Sequence, residues 1–272
     1  MKYFIIALLF STLLCAEGFI NWQPPAIKAK KTGKPEHMGH GGRKAKQFQI
    51  NGLDHDSKIE LYYLMPTLEK KDLKLENDLI SLPRTGMENY HALVVNQTLE
   101  KSVSSSVRYI YSRGRPSKVS PTKITQEQKS EFEIAPILLP KEHNHYKGSN
   151  TYDFELRIQG EKLPKHSITF TTSNGTTETF TSDEDGTFKV TMPNDFKDVK
   201  MKRRANKPAE FILSATYTHK GISYSSTLAM PYYVNPIDYW HTQTLAIALV
   251  FIGLALGIFM LRNINKKKKR KA

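Results

Sequence analysis

The chain has 272 residues, 40 Lys+Arg against 26 Asp+Glu for a formal net charge of +14, 39% hydrophobic residues and a single cysteine. That profile excludes collagen, a coiled coil and a polytopic membrane protein, and 10% aromatic residues supply too much apolar surface for a fully disordered chain. One cysteine excludes a disulfide-stapled fold and any Cys-based zinc site.

In chain order, Met1-Lys2 followed by the apolar run Tyr3 to Leu14 reads as a signal peptide over 1–18. Ala16 and Gly18 place small residues at both recognition positions of a cleavage site after Gly18. Cys15 raises the question of lipidation, but Leu14 stands where a lipobox needs a small side chain. Residues 19–43 form a basic arm in which Pro24-Pro25, Gly39, Gly41 and Gly42 leave little to bury.

From Lys44 the pattern alternates with period two. Phe48 and Ile50, then Ile59, Leu61 and Tyr63, predict half-buried strands separated by the turn-rich Asn51 to Asp54. Leu68 to Leu82 is charged and fits a short helix or an edge segment, and His91 to Val95 and Val103 to Tyr111 predict further strands. These make a first β-sandwich over 44–118, followed by a linker at 119–130 in a stretch rich in Pro, Ser and charge.

The second half, 131–238, predicts a second sandwich. Tyr152, Phe154, Leu156 and Ile158 alternate without a break. Ile168 and Phe170, then Thr177 to Thr181, then Phe188 and Val190, follow across the turns Ser173-Asn174-Gly175 and Asp183 to Gly186. Phe211 to Tyr217 and Tyr224 to Met230 flank a hairpin turn at Lys220-Gly221. Short strands at regular spacing, with no long helical window in the body, predict an all-β protein of two Ig-like or transthyretin-like β-sandwich domains.

Residues 241–261 predict one C-terminal transmembrane helix. Thr242 to Leu261 contains no charged residue, and at ~1.5 Å per residue it matches a hydrocarbon layer ~30 Å thick. The tail 262–272 carries Arg262, Lys266 to Lys269, Arg270 and Lys271, which orients it toward the cytoplasm and puts the body outside. The expectation is a single-pass protein of a bacterial inner membrane with its body in the periplasm.

Charge placement bears on partners. Setting aside Lys2, Glu17, the seven bases and one acid of 24–50 and the seven bases of the tail leaves 25 basic and 24 acidic residues. The body as a whole is therefore close to neutral, which argues against a nucleic-acid footprint.

Three groups of side chains could bear chemistry. His37-Met38-Gly39-His40 sets two imidazoles and a thioether in the arm, a donor set for a soft or borderline metal that needs a further ligand to complete it. His143-Asn144-His145 sets two imidazoles on one side of an extended chain. The alternative, which the residues favour for both pairs, is exposed histidines in a solvated arm and loop. Asp183-Glu184-Asp185-Gly186 resembles the start of a calcium loop but has no distal bidentate Glu, so a hairpin turn accounts for it better. There is no G-x-S-x-G, H-E-x-x-H, P-loop or dinucleotide fingerprint, and the expectation is a protein that is not an enzyme. Asn96-Gln97-Thr98 and Asn174-Gly175-Thr176 are sequons, which would carry glycans if this were a eukaryotic type I membrane protein.

Phe132-Glu133-Ile134-Ala135-Pro136, Gly148, the Tyr152–Ile158 alternation and Gly160-Glu161-Lys162-Leu163-Pro164 carry a family resemblance. It continues through Thr181 to Phe188, Pro193 and Ala215-Thr216-Tyr217. Over about Glu131 to Tyr233 the chain resembles the bacterial periplasmic NikM-like nickel-transport accessory family. Lys165-His166 departs from the small residues usual there. The resemblance implies export, β-sandwich construction and a part in uptake of a divalent transition metal (nickel, cobalt or copper), alongside a metal-transport or other envelope membrane complex. His37, Met38, His40, His143 and His145 are then the candidate metal ligands. The competing expectation is a non-catalytic scaffold or interaction subunit of an envelope complex.

Overall fold

The computed structural model describes residues 20–23, 46–51, 53, 57–76, 79–83, 85–140, 145–239 and 242–269. The expected signal peptide, nearly all of the arm, Cys15, His37, Met38, His40, His143 and the last residues of the tail lie outside the described residues. The first half contributes β1 (Asn21–Gln23), β2 (Gln47–Asn51), β3 (Lys58–Leu64), β4 (Leu68–Asp72), β5 (Leu79–Ser81), β6 (Met87–Leu99), β7 (Ser102–Ser112) and β8 (Arg115–Pro116), then the helical turn α1 (Thr122–Gln126). The second contributes β9 (Phe132–Pro136), β10 (Tyr146–Lys147), β11 (Thr151–Ile158), β12 (Glu161–Lys162), β13 (Ser167–Thr172), β14 (Thr177–Thr181), β15 (Thr187–Thr191), β16 (Ala209–His219) and β17 (Ile222–Tyr233). Two helices close the chain: α2 (Pro236–Tyr239) and α3 (Thr242–Lys269). The body is all-β, as its alternation predicts.

The two halves are joined in one sheet. The ten-stranded central sheet runs β14-β13-β16-β17-β7-β6-β3-β4, with β8 and β10 added at its margins. Its junction is the parallel pairing of β17 with β7, Ser223 opposite Ser102 through Leu228 opposite Val107. The expected bodies 44–118 and 131–238 therefore share a sheet and a core. Side chains stitch the junction as well: Arg108 donates twice to Glu210, at 2.8 and 2.7 Å, and Ser106 and Thr227 share a buried hydrogen bond of 2.5 Å.

Alternation along the central strands feeds two cores, because successive residues point to opposite faces. On β6, Tyr90, Ala92 and Val94 enter one core, which is closed by Phe132 and Ile134 of β9, Phe154 and Leu156 of β11, and Phe188 and Val190 of β15. Leu93 and Val95 enter the other, which is closed by Ile20 just before β1, Trp22 of β1, Ile50 of β2 and Ile80 of β5. The central sheet thus lies between a four-stranded sheet (β12-β11-β15 with β9) and a three-stranded one (β1-β2-β5).

The stretch 119–130, expected to be a linker, is built into the protein. It holds α1 with Ile124 fully buried, and then Lys129, whose side chain is also buried. The charged stretch after Leu68 forms the edge strand β4, whose Glu69, Lys70, Lys71 and Asp72 are exposed and discourage edge-to-edge pairing.

The last strand, β17, leads through α2 into α3. Side chains of α3 are described for 246–261 only, and among the described residues no helix is long and apolar enough to cross a membrane. The apolar side chains from Ile247 to Leu261 are 55–66% exposed.

Candidate functional site

Of the candidate metal ligands, His145 alone is described. It stands just before β10, with its ring stacked on Tyr233 at 4.3 Å between centroids and its carbonyl accepting from the Tyr152 hydroxyl at 3.2 Å. Among the described residues there is no group of three or more His, Cys, Asp or Glu side chains arranged to hold a metal ion. Two other histidines are occupied within the fold. His166 pairs its Nε2 with the Thr216 carbonyl at 2.6 Å, and His91 is buried with its Nε2 3.2 Å from the Thr85 hydroxyl.

The Asp183 segment is a tight turn but does not close the expected hairpin: it carries the chain from β14, at the edge of the central sheet, to β15, at the edge of the four-stranded sheet. One carboxylate oxygen accepts from the backbone N–H groups of Asp185 and Thr187, and the other accepts from the Thr187 hydroxyl at 2.6 Å. Gly186, at φ +69°, closes the turn where a side chain would be strained. Those bonds commit the carboxylate to the turn and hold its pKa below the usual value.

A denser polar cluster, which no sequence motif marks, forms where β13, β17 and the loop after β15 meet. Asp195 accepts hydrogen bonds from the hydroxyls of Tyr232 (2.5 Å), Thr172 (2.7 Å) and Thr176 (2.7 Å), and from the Asn174 amide (3.0 Å). Burial opposes the charged carboxylate, yet these donors outweigh it and hold the pKa of Asp195 below its ordinary value. The cluster borders an open depression of about 420 Å³ whose rim includes Phe196, Lys197, Lys200, Asn206, Lys207 and Val234. It has a charged rim and a fully hydrogen-bonded carboxylate, which suits binding of a polar surface better than proton transfer.

A third cluster is buried. Glu133 of β9 meets the Arg157 guanidinium at 3.2 Å and the Lys129 ammonium at 3.6 Å. Arg157 also pairs with Glu155 and donates to the Thr125 carbonyl at 2.6 Å, while Lys129 donates to the carbonyls of Ile124 (3.1 Å) and Glu127 (2.5 Å). Two acids and two bases thus fasten α1 to the second-half sheet. Burial pushes the pKa of Lys129 down, and Glu133 works against that shift.

No family model matches the chain, and no curated protein matches it. Among solved structures it is similar to the D0-D1 domain of intimin, at 11% identity and a TM-score of 0.23, over 70% of this chain and 91% of that one. It is also similar to a Ca2+-stabilized adhesin described as helping an Antarctic bacterium reach out and bind ice. That match has 10% identity and a TM-score of 0.24, over 71% of this chain and 44% of the other. The NikM-like resemblance therefore rests on its motif residues, most of which are strand and turn positions: Phe132 to Pro136 is β9, and Asp183 to Gly186 is the turn between β14 and β15.

Proposed function

We propose that this protein is a membrane-anchored, exported β-sheet platform that serves an envelope membrane complex as a non-catalytic interaction subunit. The observation that carries the reading is the way the chain leaves the body. After the central strand β17 come α2 and then α3, whose large apolar side chains from Ile247 to Leu261 are 55–66% exposed among the described residues. The described side chains alone, 246–261, would span ~24 Å, short of a hydrocarbon layer of ~30 Å. The uncharged sequence extends back to Thr242, and the full stretch reaches that thickness. The lysine-rich tail then favours a cytoplasmic C-terminus and a body on the outer side. The polar clusters support a non-catalytic role: Asp195, Glu133, Arg157 and Lys129 are each spent on hydrogen bonds or ion pairs that hold elements together.

The test is fractionation. The full chain is expected to stay with membranes through alkaline carbonate extraction. Added protease should digest the body in opened cells, while an epitope after Ala272 stays protected. Release of the intact full chain into the carbonate supernatant would overturn the anchor.

A second reading, handling of a divalent transition metal, is favoured by the ligand chemistry of His37, Met38 and His40 and of the His143/His145 pair. Calorimetric titration with Ni²⁺, Co²⁺, Cu²⁺ and Zn²⁺ tests it. Micromolar binding lost in His37→Gln/His40→Gln supports an arm site, and absence of binding by the unsubstituted protein rejects it.

A further inference from the structure

The near-neutral charge of the body conceals an uneven distribution along the strands. β17 runs toward α2 and α3, and its last residues mark one end of the central sheet, the exit end. Register places other segments there. Ala209 at the start of β16 lies opposite Tyr232, so the loop 193–208 ends at the exit end. β7 runs parallel to β17 at a constant offset, so the turn that follows Ser112 emerges there too. The loop 193–208 contains six basic residues (Lys197, Lys200, Lys202, Arg203, Arg204 and Lys207) against Asp195 and Asp198. The turn 113–118 adds Arg113, Arg115 and Lys118, all exposed, with no acid among them.

The opposite end differs. Its turns after β6, β12, β14 and β16 carry Glu100, Lys101, Lys165, Asp183, Glu184, Asp185 and Lys220, four acids to three bases. Among the described residues, the other carboxylates at the exit end do not cancel its charge. Neutral donors leave Glu88 and Asp195 charged, and with Asp198, the exposed Glu69 of β4 and Asp238 of α2 they make five acids against the nine bases of 113–118 and 193–208, while Glu210 is paired with Arg108.

Apolar exposure follows the same division. Among the described residues outside α3, the three most exposed large apolar side chains are Leu138 (66%), Met201 (67%) and Ile237 (78%). Met201 lies in the basic loop, Ile237 on α2, and Leu138 just after β9. β9 pairs antiparallel with β11, and Pro136 lies opposite Phe154, which puts Leu138 at the exit end as well. Basic side chains interleaved with protruding apolar ones make a surface suited to a bilayer interface, where cations meet anionic headgroups and apolar tips enter the acyl boundary.

We propose that the exit end of the sheet lies on the bilayer that α3 enters and docks there on anionic phospholipid headgroups, through Lys197 to Lys207 and Arg113 to Lys118 with Met201, Leu138 and Ile237 as apolar contacts. The inference rests on α3 being a membrane span. Seven residues separate Val234, on the rim of the basic depression, from Thr242 at the start of α3, so the chain keeps this surface close to the bilayer. Attraction of basic side chains to an anionic surface favours the docked state about five-fold per side chain near that surface and is screened by salt.

The experiment uses the full chain with Cys15→Ser and Met201→Cys, labelled at position 201 with an environment-sensitive fluorophore. It is inserted into nanodiscs of phosphatidylcholine alone or with about 30% phosphatidylglycerol, the anionic share at which the surface field is substantial. The expected result is a blue shift and at least a doubling of emission in anionic discs only, lost in high salt and reduced by Lys200→Gln/Lys202→Gln/Arg204→Gln. Ile237→Cys, labelled in the same way, is a second and independent reporter. Equal emission from both reporters in the two kinds of disc overturns the docking while leaving the anchor intact. A chain that co-purifies with neither disc overturns the membrane-span reading, and the docking with it.

Discussion

The Tyr232 hydroxyl donates to the Asp195 carboxylate at 2.5 Å, tying the end of β17 to the loop after β15. Burial first, and then donation to a carboxylate, raise the pKa of Tyr232 well above that of a free phenol. Removing a donor to a charged acceptor costs about 1.5–3 kcal/mol. Tyr232→Phe is therefore expected to lower stability by about 2 kcal/mol, measured by denaturant titration of the body. The sign of the pH dependence follows from the lowered pKa of Asp195: its contribution is present above the ordinary carboxylate pKa and is lost as pH falls through the lower folded value. Tyr232→Phe should flatten that acid limb, and an unchanged limb would show that this bond does not hold the carboxylate.

The Glu133 cluster is expected to be less forgiving. Glu133 is 1% exposed and pairs with both Arg157 and Lys129, so Glu133→Gln leaves Arg157 with Glu155 and strips the buried Lys129 of its ion-pair partner. Breaking a buried ion pair from one side costs about 3–5 kcal/mol. Lys129→Met should cost less, because Arg157 remains to pair with Glu133. Equal losses for the two variants in thermal unfolding would refute the view that Glu133 is the hub.

How much of this could be read from the sequence depends on the range of the interaction. The strands from Tyr152 to Met230 follow from local alternation, and the Asp183 turn follows from its own side chain bonding to its own backbone, although that local signal does not tell that the turn crosses between sheets. The parallel pairing of β7 with β17 joins residues 121 positions apart, and no periodicity announces it. Without that pairing, the two halves read as two sandwiches. Lys129 misled in another way: a lysine amid Gln and Ser looks solvated, and its burial makes sense only once Glu133 and the carbonyls of α1 are placed around it. The same holds for the exit end, where residues 113–118, 138, 193–208 and 237 converge only through strand register. A charge count over the whole body averages that convergence away.

Tyr146 offers a contrast to Tyr232. Its ring is packed in the main core against Tyr152, Phe154 and Phe211, and among the described residues its hydroxyl has no hydrogen-bond partner. A buried hydroxyl without a partner loses its hydration without compensation, so removing it relieves a cost while keeping the ring. Tyr146→Phe is expected to be neutral or stabilising by up to about 1 kcal/mol. A loss as large as that of Tyr232→Phe, measured in the same denaturant titration, would mean that the hydroxyl has a partner after all.

His91 should set the stability of the first half in mild acid. It is 3% exposed on β6, with Tyr63 at its edge, its Nδ1 without a partner among the described residues and Lys46 nearby. Burial first, and then the positive charge of Lys46, push its pKa down to about 4 from 6.5. The unfolded chain therefore binds the proton at higher pH than the folded one does. His91 imposes no penalty above about pH 6.5, and stability falls as pH drops from there toward 4, where the folded state begins to take the proton as well. A shift of that size corresponds to about 3 kcal/mol across the window. His91→Gln, which cannot take up the proton, should remove that slope between pH 6.5 and 4 even if it lowers stability at pH 7 by disturbing the Thr85 contact. Unfolding free energies measured at half-unit pH steps for both proteins decide the matter, and parallel curves would show that some other group carries the acid sensitivity.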